Sequence, residues 1–129
     1  MRLRGFSISV FFLAMALQSF SQATLPLTRT TWSATPTGWT DNSITTYTSA
    51  LACDGNSNRG KFDNTGDYTQ VFFTGVAIQL SFDLQGNTIG ATSSLLVEES
   101  ANGTAWTTIA NISAISGSCV TYTYNLTCA

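Results

Sequence analysis

The chain has no histidine. A Ser-His-Asp or Cys-His relay therefore lacks its base, and imidazole metal sites are excluded. Carboxylates remain, and glycoside hydrolysis needs two of them at a set separation. Glu98 and Glu99 come nearest to a pair. Neighbours in a strand point to opposite faces, so these two cannot serve one bond as acid and base. No nucleophile, acid and base can be assembled from the remaining side chains, and the chain reads as a non-enzyme.

Oxygen ligands do cluster. Asp54, Asn56, Asn58, Asp63 and Asp67 fall in two adjacent turns, which is the chemistry of a Ca²⁺ cage. Asp54-x-Asn56-x-Asn58 opens as an EF-hand loop does. Arg59 then stands where that loop needs Gly, and Thr65 where it needs Glu, so an EF-hand is excluded. The metal reading that survives is an irregular structural Ca²⁺ site at Asp54, Asn56, Asp63 and Asp67. The favoured reading is plainer: Asx-turns, in which these side chains cap their own backbone.

Aromatic side chains could give sugar rings a flat platform. Trp106 follows a hairpin and is expected to pack inward, while Tyr122 and Tyr124 share the apolar face of their strand. Trp32, Trp39 and Tyr47 are the least constrained and are the candidate glycan contacts. Three cysteines, Cys53, Cys119 and Cys128, allow three single-bridge pairings. Cys119 and Cys128 would join the two ends of one strand, roughly 25 Å apart when extended. Cys53 is therefore expected to bridge to one of the other two, with Cys119 as the candidate partner.

Strands must position these groups. Val76 to Leu84 alternates apolar with polar or small residues through nine positions, five on one face and four on the other. That period of two marks a strand with one buried and one wet face. It returns in Val120-Thr121-Tyr122-Thr123-Tyr124-Asn125-Leu126. Further strands are expected at Arg29–Ser33, Ile44–Ala52, Lys61–Asp63, Tyr68–Phe73, Ser94–Glu99 and Trp106–Ile112. Asn102-Gly103 between the last two predicts a hairpin with a type I′ turn. Strands at roughly 10-residue spacing, with Gly and Asn turns and no helical pattern, indicate an antiparallel β-sandwich. The final strand runs almost to Ala129, leaving an open edge of the kind complete domains cover. The expectation is that further strands normally follow.

Residues 1–23 read as a secretory signal peptide. Arg2 and Arg4 precede an apolar run from Ile8 to Leu17, shorter than the roughly 20 residues of a membrane span. Small residues at Ser19, Ser21 and Ala23 permit cleavage after Ser21 or after Ala23. Residues 24–129 then form one small domain without a membrane span. That domain carries Arg29, Arg59 and Lys61 against seven carboxylates, a net charge of −4. Such a balance excludes a nucleic-acid partner, whose phosphates require basic patches.

Three blocks together carry a resemblance: Gly60-Lys61-Phe62-Asp63-Asn64-Thr65-Gly66-Asp67-Tyr68, Ser94-Leu95-Leu96-Val97-Glu98-Glu99-Ser100 and Asn102-Gly103-Thr104-Ala105-Trp106-Thr107-Thr108-Ile109. In this order they resemble the jelly-roll modules (galactose-binding-like or concanavalin-like β-sandwiches) of large secreted bacterial proteins. The resemblance spans Trp39 to Leu126. It implies a jelly-roll-like fold missing its last one or two strands. It also implies an extracellular, non-catalytic module that binds polysaccharide or a cell-surface glycan. The alternative is a structural spacer or truncated fragment of a larger secreted protein, with no ligand of its own.

Overall fold

The computed structural model describes residues 21–48, 53, 58–87 and 93–127. Residues 1–20, which make up most of the expected leader, lie outside this set, as do Asp54, Asn56 and Cys128. The described residues form an all-β, sandwich-like fold of ten strands: β1 (Ala23–Thr24), β2 (Trp39–Asn42), β3 (Thr45–Tyr47), β4 (Arg59–Lys61), β5 (Tyr68–Val71), β6 (Phe73–Thr74), β7 (Gln79–Leu84), β8 (Leu95–Glu99), β9 (Thr107–Ile112) and β10 (Val120–Asn125). Four antiparallel pairs carry most of it: β2–β5, β3–β4, β7–β10 and β8–β9. The fifth pair, β1–β6, is short and parallel. Among the described residues no helix is long and apolar enough to cross a membrane.

The β7–β10 ladder shows how the alternation acts. Leu84, Phe82 and Leu80 pair with Val120, Tyr122 and Tyr124 and are half-buried on one face. Phe82 and Tyr122 stack at 5.8 Å between ring centroids, and Tyr122 and Tyr124 at 6.5 Å. The other face is wet and held by short polar contacts. Thr121 Oγ1 donates to Asp83 Oδ1 at 2.6 Å, and the Ser81 and Thr123 hydroxyls meet at 3.1 Å. Cross-strand pairs of this kind are the unit of sheet stability.

Several expected elements are shorter or differ. The strand expected from Val76 begins only at Gln79. Gly75 turns the chain with φ +97°, and the register with β10 stops at the Gln79–Asn125 pair. Leu126 N still donates to Ile78 O at 3.0 Å, but the Val76 and Ile78 side chains stand 65% and 75% exposed. Tyr68–Phe73 is split at Phe72: its N–H still donates to Gly38 O, the next position of the β2–β5 register, while its carbonyl accepts from Ala23 N at the start of the β1–β6 pair. Residues 29–33 form no strand. Residues three apart in a strand face opposite ways, whereas the Arg29 guanidinium lies over the Trp32 ring.

The β8–β9 hairpin forms where Asn102-Gly103 predicts it, but not through a two-residue type I′ turn. Seven residues, 100–106, connect the strands, and of the Asn-Gly pair only Gly103 has positive φ. Asn102 Oδ1 instead accepts from the Thr104 and Ala105 N–H groups, at 2.8 Å each. An Asn side chain that captures backbone donors in this way replaces the tight turn with a wider Asx-type loop.

Cys53 bonds to Cys119, with their α-carbons 5.3 Å apart. The bridge ties the segment between β3 and β4 to the start of β10. The core among the described residues is thin: its buried apolar residues are Ala23, Cys53, Val97 and Ile112, while the Cys119 end of the bridge is exposed.

Candidate functional site

Two aromatics singled out from sequence, Trp32 and Trp39, converge with Arg29. The guanidinium carbon lies 3.6 Å from the Trp32 ring centroid and 5.0 Å from that of Trp39. Trp39 and Asp41 stand two apart on β2, hence on one face, and Thr69 pairs directly opposite Asp41 on β5. Arg29 lies across that face. Its Nη1 and Nη2 donate to Asp41 Oδ1 and Oδ2 at 2.8 Å each, while Thr69 and Thr35 hydroxyls donate to the same carboxylate at 2.8 and 2.7 Å. Hydrogen bonds from Arg29 are the main cause holding the Asp41 carboxyl down at about 2.

The far side of this cluster is also occupied. A Cβ built on Gly60 in β4 would lie 2.6 Å from Trp32 Cδ2, so only glycine lets that strand approach the indole. Trp32 N donates to Asn58 O, and Thr46 Oγ1 to Trp32 O. Trp32 and Trp39 are therefore half-buried structural rings, with Arg29 over both, and offer no open platform to a sugar. Tyr47, the third candidate, is half-buried on β3, and its hydroxyl accepts from Asn87 Nδ2 at 3.0 Å.

Of the oxygen ligands considered for Ca²⁺, Asp63 and Asp67 are among the described residues. Asp67 Oδ2 accepts the N–H groups of Asp63 and Asn64 at 2.9 Å each, so this side chain caps its own turn by reaching back across it rather than two residues forward as in the expected Asx-turn. Asp63 Oδ2 receives the Lys61 ammonium at 2.5 Å, which lowers the Asp63 pKa and raises that of Lys61. A cation already occupies the Asp63 carboxylate. Among the described residues no three His, Cys, Asp or Glu side chains converge as a metal cage.

The opposite face of the β2–β5 pair holds a different arrangement. Tyr68, Thr69 and Gln70 of β5, Leu96 and Glu98 of β8, and Trp106 just before β9 line an open cleft of about 270 Å³. Tyr68 is 45% exposed, Leu96 51% and Trp106 42%. Half of the exposed large apolar side chains among the described residues thus gather at this one place, which is how a binding surface differs from scattered exposure. Leu96 and Glu98 share the outer face of β8, and Val97 between them is buried.

A bulge helps aim the wall. Val97 pairs with Ala110 but Glu98 with Thr108, so Ile109 is the extra residue of β9. Bulges of this kind twist a ladder and redirect side chains beside functional sites. The hairpin loop packs closely on Phe72, between β5 and β6, where a Cβ on Gly103 would meet Phe72 Cε1 at 2.6 Å. Glu99, on the inner face, accepts from Thr127 N at 2.9 Å. Glu98 and Glu99 are thereby separated, one in the cleft and one tied to the chain beyond β10.

Trp106 corrects its expected inward packing. The Asn102 loop ends at Ala105, and Trp106 precedes the first residue of β9 paired with β8, so it stands clear of the ladder. Tyr68 and Trp106 were visible in the sequence only as two aromatics far apart in the chain, and nothing local marked them as neighbours. No protein family, curated protein or solved structure matches this chain.

Proposed function

We propose that this chain is an exported, non-catalytic module that binds an uncharged glycan in the Tyr68–Trp106 cleft. The observation that carries this reading is the exposure of two amphipathic aromatics around one cleft that also holds Gln70 and Glu98. Tyrosine and tryptophan present apolar faces to the C–H surfaces of a sugar ring, and the amide and carboxylate groups meet its hydroxyls. Among the described residues the only charged group lining the cleft is a carboxylate, in a domain of net charge −4, which disfavours uronic-acid or sulfated chains.

Export is supported by the leader pattern of residues 1–23 and by a disulfide, which persists in oxidising compartments. The non-catalytic reading is supported by the lack of histidine and by the separation of Glu98 from Glu99. The test is a thermal unfolding scan against neutral and acidic polysaccharides, since a ligand of the folded state raises the midpoint by mass action. A neutral glycan should raise it in the native protein and not in the Tyr68→Ala/Trp106→Ala double variant. If no polysaccharide moves the midpoint, or the shift survives both substitutions, the reading is wrong.

A further inference from the structure

The leader pattern accepts two cleavage points, because small residues occupy the last and third-last positions before each: Ser19 and Ser21, or Ser21 and Ala23. The folded product distinguishes them. Ala23 is only 7% exposed and sits in β1, paired in parallel with Phe73. Its N–H donates to Phe72 O at 2.7 Å, and Phe72 N donates in turn to Gly38 O at 2.8 Å. Gly38, at φ +82°, comes so close that a Cβ there would lie 2.5 Å from Ala23 N and 2.9 Å from Ala23 Cβ. Ala23 is thus one corner of a three-way backbone contact that closes the fold beside Phe72. Gln22, one residue earlier, is exposed.

From this we infer that the processing site is the Ser21–Gln22 bond, so that the mature domain begins Gln22-Ala23-Thr24. The reaction is peptide hydrolysis by a leader peptidase. Water adds to the Ser21 carbonyl, the C–N bond breaks, and the products are a Ser21 carboxylate and a Gln22 ammonium. The new charge then lies on an exposed residue, where water solvates it. Cutting after Ala23 would instead remove half of β1, delete the Ala23 N–H bond to the Phe72 carbonyl and open a methyl-sized hole against Gly38, each a destabilising loss.

The inference rests on the export reading, and the experiment separates the two. The full-length chain is expressed with its own leader in a secreting bacterium, and the mass of the exported protein is read intact. A product beginning at Gln22, with or without the loss of ammonia that cyclises an N-terminal glutamine, is the expected result. A product beginning at Thr24 overturns the assignment and leaves export standing; an uncut chain overturns both. In the same system Ala23→Asp should still be cut before Gln22 and should melt several degrees lower than the native product. An unchanged melting temperature would show that Ala23 is not part of the fold and would remove the basis of the assignment.

Discussion

Arg29 and Asp41 meet through two parallel hydrogen bonds of 2.8 Å, fork to fork. Their side chains are 4% and 13% exposed, so water does little to screen either charge. Arg29 comes from a segment with no ladder of its own, and Asp41 from β2. The pair therefore does for residues 29–35 what backbone pairing does elsewhere, and the indoles of Trp32 and Trp39 cover the cation while it does so.

Removing one partner of this pair leaves the other charge stranded. Arg29→Ala should cost about 3 kcal/mol in urea unfolding. Arg29→Lys should fall between the native protein and Arg29→Ala, since an ammonium keeps the charge but neither forks nor stacks. An Arg29→Ala loss below about 0.5 kcal/mol would place the pair with ordinary surface charges.

The same pair sets an acid limit. The Asp41 pKa is depressed from 3.8 to about 2, so the folded state binds that proton less readily than the unfolded chain. Its contribution of about 2 kcal/mol is complete above pH 4 or so and is lost as pH falls through about 2. Native stability minus that of Asp41→Asn, measured at several pH values between about 6 and 2, should shrink across this window. A constant difference would mean that Asp41 titrates normally in the fold.

The Cys53–Cys119 bridge closes a sequence separation of 66 residues. Constraining a loop of that length in the unfolded chain stabilises the fold by about 4 kcal/mol on the chain-entropy estimate. Reduction, or the Cys53→Ala/Cys119→Ala double variant, should lower stability accordingly. A non-reducing digest should yield the two cysteine peptides joined; a peptide linking Cys128 to either one in their place would contradict the pairing.

Trp106→Ala should reduce affinity for a bound neutral glycan by about tenfold or more, and Tyr68→Ala similarly, the loss expected of buried aromatic anchors. Both positions are substantially exposed, so stability should change by no more than about 0.5 kcal/mol. Trp32→Ala should behave in the opposite way, lowering stability and leaving affinity in the folded fraction unchanged. Calorimetric titration of the three variants distinguishes a ligand platform from a packing ring.

The strand character of Leu80 to Leu84 and Val120 to Asn125 was legible because it depends only on a period of two. Their pairing needs just one ladder to bury one face. The capping of its own turn by Asp67 and the split between Glu98 and Glu99 were equally local, decided within a few residues of backbone. Even the candidate bridge could be narrowed by arithmetic, since the two ends of an extended strand cannot meet.

What the sequence could not determine was which aromatics face outward. Trp32 and Trp39 looked unconstrained and Trp106 looked buried; the fold reverses this. Arg29 reaches Asp41 across 12 residues, and Glu98 lines a cleft with Tyr68 from a strand that follows in the chain by 30 positions. Alternation along a strand assigns a side chain to one of two faces, but it carries no information about what covers that face. By itself the sequence therefore determined a histidine-free, all-β chain with few charges. Only the tertiary structure decided that one face of β2–β5 is filled by Arg29 and two indoles, while the other is left open beside Trp106. That choice depends on contacts between residues distant in the chain, which local spacing does not encode.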